Sequence, residues 1–91
     1  MKANGKSWAR QRRLYEKNAS FCGFVPGDRV RITRKFPSLT GGWTAVWSEI
    51  FMTPLIGKEG RVVSLEGSSG IRVEFSKGVA YNFPYQSLER A

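Results

Sequence analysis

The chain has 91 residues, of which 41% are apolar, with fifteen basic residues against seven acidic ones, a formal charge of +8, one cysteine and no histidine. That length makes one domain that buries only ~60% of the surface of its unfolded chain, and the single Cys22 excludes an internal disulfide. Without histidine there is no ordinary general base near neutrality, no Ser-His or Cys-His pair and no imidazole metal ligand.

Residues 1–23 form a basic arm and residues 24–91 a compact body. The arm holds Lys2, Lys6, Arg10, Arg12, Arg13 and Lys17 against Glu16 alone, a balance of +5; the body holds nine basic and six acidic residues, a balance of +3. A cationic arm on a compact body is a frequent footprint of attraction to nucleic acid or another anionic surface, and a solubilising tail has the same composition. From Ser7, a candidate N-cap, to Lys17 the arm lacks helix breakers, and Trp8 and Tyr15 share one helical face. Asn18, Ser20 and Gly23 read as a linker, and Pro26-Gly27 as a turn into the first strand.

From Asp28 to Arg34 the chain alternates, with Val30 and Ile32 on one face and Arg29, Arg31 and Thr33 on the other. Between Lys35 and Ile56 the residues Trp43, Val46, Trp47, Ile50 and Phe51 recur at helical spacing, with Thr44 as a cap and Pro54 beyond the end, which predicts a short helix or a turn or two of one. Gly60 to Leu65 is a second strand. Its apolar positions Val62 and Leu65 stand three apart, so a bulge is expected. Glu66 to Gly70 is a hairpin loop, Ile71 to Phe75 alternates, Ser76-Lys77-Gly78 turns, and Val79, Tyr81 and Phe83 line one face of a fourth strand that Pro84 ends. Tyr85 to Leu88 reads as a single turn before a last pairing toward Arg90. Val30, Ile32, Val62, Val73 and Phe75 are the expected core.

The order Gly27-Asp28-Arg29-Val30-Arg31-Ile32, Gly42-Trp43, Trp47, Met52, Ile56-Gly57-Lys58-Glu59-Gly60-Arg61-Val62-Val63, Ile71-Arg72-Val73-Glu74-Phe75, Tyr81-Asn82-Phe83-Pro84 and Leu88-Glu89 resembles an SH3-like small barrel. It is similar in layout to mind-bomb-type SH3-like repeats and, more loosely, to KOW modules, as met in uncharacterised tailed-bacteriophage proteins. The resemblance covers Val25 to Arg90 and implies a mainly β, antiparallel barrel of four to five strands; the basic N-terminal arm lies outside it, and the short helical insertion between the first two strands departs from a compact KOW motif. It also implies binding of protein, peptide or RNA.

The candidate chemistry is therefore surface recognition, and no catalytic, cofactor or metal site is expected. Asp28 is the only aspartate and sits where a carboxylate bonds nearby backbone amides; Gly57-Lys58-Glu59-Gly60 lacks the P-loop pattern. Two readings stand side by side. In the first, a protein partner docks on the barrel through Trp43, Trp47 and Tyr85, although the same tryptophans would equally serve as a lid over the barrel end. In the second, Lys6, Arg10, Arg12, Arg13 and Lys17 join Arg29, Arg31, Arg34 and Lys35 in a cationic stripe for nucleic acid. The apolar runs are too short for a membrane span, and one free thiol fits the cytoplasm, that of the host if the chain is phage-encoded.

Overall fold

The computed structural model describes residues 5–91, with side chains from Trp8 onward. Helix α1 runs over Gly5–Cys22 and is followed by strands β1 (Arg29–Ile32), β2 (Glu59–Leu65), β3 (Ile71–Ser76), β4 (Val79–Phe83) and β5 (Leu88–Arg90). One antiparallel sheet results, in the order β4-β3-β2-β1-β5. No ladder joins β4 to β5, so the sheet is open and the expected closed barrel is corrected. The cause lies at the chain end. Pro84 has no amide hydrogen to extend β4, one 3-10 turn over Tyr85–Ser87 redirects the chain, and the three-residue β5 pairs along β1.

Alternation decides the strand faces. Val30, Ile32, Val62 and Val73 are buried, while Phe75 is only half-buried, because the β3–β4 register shifts between Glu74 and Ser76. The expected bulge in β2 falls between Val62 and Ser64 and turns Val63 and Leu65 outward. Around those strands the core adds Tyr15, Phe24, Trp43, Trp47, Met52, Ile71 and Phe83. Trp47 and Phe75 both meet Phe83 edge-on, at ring-centre distances of 5.5 and 5.9 Å.

The arm is a longer helix than its sequence suggests. Ala19 and Cys22 pack against the core and carry the helix through the expected linker, until Gly23 ends it at φ +71° with its N–H bonded to the Ser20 carbonyl at 3.1 Å. On the same side of the helix Tyr15 is fully buried and its ring lies 4.9 Å from that of Tyr85. The helix seat is Gly42. A Cβ there would come within 2.2 Å of the Gln11 carbonyl oxygen and 2.6 Å of the Tyr15 Cβ, so only glycine permits so close an approach.

The segment 35–56 holds only turns, without a continuous helix over Trp43 to Phe51. Gly41 and Gly42 both take positive φ, and two indoles tie the loop down: Trp43 donates to the Ser69 carbonyl and Trp47 to the Thr53 hydroxyl, each at 2.9 Å. The Thr44 amide bonds the Ser68 carbonyl and the Leu39 amide the Ala45 carbonyl, so the loop is ordered without regular structure. Its helical content is one turn closed by the Met52 amide on the Ser48 carbonyl and a 3-10 turn over Thr53–Leu55.

Candidate functional site

Helix α1 is anchored on one side and charged on the other. Arg10, Arg13 and Lys17 recur at i, i+3 and i+7, which places them on one helical face, turned away from the buried Tyr15 and Ala19. Leu14 and Phe21 stand at the edge of that row, Phe21 with 78% of its surface exposed, whereas Arg12, seven residues before Ala19, is exposed on the other side of the helix. Among the described residues no ion pair reaches a cation of α1. Glu16 is the helix's only acid.

The outer face of the sheet has the opposite arrangement. Arg31 lies directly across from Glu59 on β2 and Glu89 on β5, and its guanidinium bonds both carboxylates, at 2.7 and 2.9 Å. Those two hydrogen bonds, Glu89 first and Glu59 second, raise the Arg31 pKa further above its ordinary range. Arg29 reaches Glu59 at 3.5 Å, and Arg61 stands opposite Glu74 in the β2–β3 register. A cleft of about 400 Å³ between Arg29, Arg61, Phe75 and Lys77 is likewise shared by Glu59 and Glu74.

The remaining sequence candidates separate in the same way. Lys35 pairs with Glu49, while Arg34 donates to the Gln86 carbonyl and lies over the Phe36 ring. The side chain of Lys6 lies outside the described residues. The expected stripe thus divides: Arg10, Arg12, Arg13 and Lys17 stay together on α1, and Arg29, Arg31 and Lys35 are each engaged by a carboxylate. Trp43 and Trp47 are 0% and 5% exposed, which is the lid placement, and Tyr85 is half-buried against Tyr15. The exposed apolar residues of the loop include instead Leu39, Val46, Ile50 and Phe51, the last stacked on Tyr81.

Two features, one buried and one exposed, hold the helix in place. The Tyr85 amide donates to the Tyr15 hydroxyl at 3.2 Å, and burial pushes the Tyr15 pKa up to about 12 despite that bond. At the helix C-terminus, Arg90 bonds the Gly23 carbonyl at 2.9 Å, lies 4.7 Å over the Phe24 ring and approaches Asp28, whose carboxylate accepts the Val25 amide as its turn position suggested. Phe21 and Gly42 went unrecognised in the sequence. Spacing places Phe21 one turn beyond Lys17, but Gly42 has no local signal, since its partner is Gln11.

No family model, no curated protein and no solved structure matches the chain. The resemblance to SH3-like barrels, whether of mind-bomb type, KOW type or tailed-phage origin, is therefore withdrawn. The pattern that suggested it, short period-two ribbons joined by glycine turns, belongs to any small antiparallel sheet. Among the described residues no group of three or more His, Cys, Asp or Glu side chains could hold a metal ion, and no helix is long and apolar enough to cross a membrane.

Proposed function

We propose that the protein is a non-catalytic, cytoplasmic binding module whose ligand is nucleic acid, held through the phosphates along the outward face of α1. One observation carries the reading: among the described residues Arg10, Arg12, Arg13 and Lys17 share one docked helix and enter no ion pair, whereas the arginines of β1 are paired with Glu59 and Glu89 across the strands. A docked helix presents its cations at fixed spacing, so ordering them on binding costs less than ordering a free tail. Leu14 and Phe21 give the same face apolar surface for the sugar and base edges. Protein contact through Trp43 and Trp47 would require those buried rings at the surface.

The test is binding of short DNA and RNA duplexes, followed by fluorescence anisotropy across a salt series. Neutralising four phosphates gives a slope of log affinity against log salt of about −3.6 on duplex DNA, from ~0.9 per phosphate. The triple change Arg10→Ala, Arg13→Ala, Lys17→Ala brings the slope to about −0.9, and the pair Arg29→Ala, Arg31→Ala leaves it unchanged. Binding that does not respond to salt, or a triple variant with the wild-type slope, rejects the reading.

A further inference from the structure

A groove of about 340 Å³ runs between the C-terminal half of α1 and the end of the β2–β3 hairpin. Ala19, Phe24 and Ile71 form its floor, and Val25 and Leu65, both exposed, form its walls. Gly67 and Gly70 at its rim both have positive φ, and the close approach of Gly70 to the Phe83 carbonyl, 2.7 Å from where a Cβ would stand, holds the hairpin end in place. Shape alone names no occupant. Charge does, because in a chain of +8 the two charged residues that line this groove are both carboxylates, Glu16 and Glu66.

The two carboxylates flank one mouth. Glu16 Oε2 lies against Gly67, 3.3 Å from where a Cβ would stand, and Glu66 is the preceding residue. Glu66 is fixed from outside, accepting from the Ser64 hydroxyl at 2.7 Å and the Asn82 amide at 3.3 Å. Those bonds, with Arg72 nearby, hold its carboxyl below the usual range. The C-terminal end of α1 is already met by Arg90, whose guanidinium bonds the Gly23 carbonyl, so the charge of the groove rests on Glu16 and Glu66.

We propose that this groove is a docking site for a partner protein, taking an aliphatic or aromatic side chain flanked by lysine or arginine. The apolar anchor fills the floor, and its basic neighbours meet Glu16 and Glu66 at the mouth. This site lies on the flank of α1, apart from the outward row of Arg10, Arg13 and Lys17, and it stands independently of nucleic-acid binding. An acidic segment with the same anchor is rejected, since like charges facing each other in an interface are strongly unfavourable.

The probes are three capped tripeptides, acetyl-Lys-Phe-Lys-amide, acetyl-Glu-Phe-Glu-amide and acetyl-Lys-Ser-Lys-amide, each titrated into the isotopically labelled full chain and followed by amide NMR. The first shifts the amides of Leu65, Gly67, Gly70 and Ile71. The second and third bind roughly tenfold more weakly or not at all, the second for lack of charge complementarity and the third for lack of an anchor. Glu16→Gln and Glu66→Gln each weaken the first peptide about threefold or more, and Leu65→Asp, at an exposed wall position, lowers the anchor's contribution without unfolding the chain. Equal response to the acidic peptide, shifts confined to other surfaces, or concentration-dependent shifts of the same amides without any peptide, which mark a second copy in the groove, each overturn the assignment.

Discussion

On the outer face of the sheet Arg31 has Glu59 on one neighbouring strand and Glu89 on the other, while on the outward face of α1 Arg10, Arg13 and Lys17 enter no ion pair among the described residues. The two regions differ in how their geometry handles charge. Antiparallel register sets residues side by side, so a row of alternating sign neutralises itself within the sheet. A helix repeats along one face, and like charges at i, i+3 and i+4 cost a few tenths of a kcal/mol per pair. That cost is carried here by tertiary contacts, namely the burial of Tyr15, the close approach at Gly42 and the packing of Ala19 and Cys22. The lesson is that bulk charge marks attraction, and register decides which cations remain available for it.

The largest expected effect separates the two regions outright. Gly42→Ala forces a Cβ into the backbone of α1 from a left-handed φ of +86°, and a loss of about 2–4 kcal/mol in stability is expected from overpacking and backbone strain together. Urea unfolding measures the loss, and the strand amides should retain their shifts under conditions where those of α1 move. A fully neutral result would mean that the helix does not sit on the loop.

Next comes the ionisation of Tyr15. Its folded pKa is raised from 10.0 to about 12, so the stabilisation is fully present below pH 10 and is lost as pH rises toward 12. Wild type should lose roughly 2–3 kcal/mol more over that interval than Tyr15→Phe, which has no proton to release. Equal slopes in the two proteins would place the phenol in water.

The smaller effects lie in the charges themselves. Arg31→Ala should cost little stability, because both of its ion pairs are exposed, and should leave nucleic-acid affinity nearly unchanged. Arg13→Glu, which sets a carboxylate four residues before Lys17, should stabilise the helix by about 0.3–0.5 kcal/mol while weakening duplex binding. Opposite signs in the two readouts would show that the helix face is kept for a ligand rather than for the fold.

Much of the sheet was legible in the sequence because a period of two is a local signal. Val30, Ile32, Val62 and Val73 follow it into the core; Phe75 departs because a register shift in the β3–β4 pair is a property of two strands at once. Closure was misread for the same reason, as nothing local says that β5 pairs with β1 and not with β4. In the loop the helical spacing of Trp43, Val46, Trp47, Ile50 and Phe51 was a coincidence of composition. Positive φ at Gly41 and Gly42 and the two indole hydrogen bonds override it, burying the tryptophans and leaving Ile50 77% exposed.

The candidate site was legible as a charge count and no further. Arg10, Arg12, Arg13 and Lys17 could be grouped by position, but the capture of Arg29, Arg31 and Lys35 by Glu59, Glu89 and Glu49 depends on strand register and loop path. The linker expected at Asn18 and Ser20 failed because Ala19 and Cys22, unremarkable in propensity, gain enough from packing to carry the helix onward.

The most direct test is amide and arginine side-chain NMR of the full chain titrated with a short DNA duplex at low salt. The account predicts shifts that concentrate at Arg10, Arg13, Lys17 and Phe21, with Arg31, Glu59 and Glu89 unmoved. Shifts centred on the β1 arginines, with α1 silent, would contradict it.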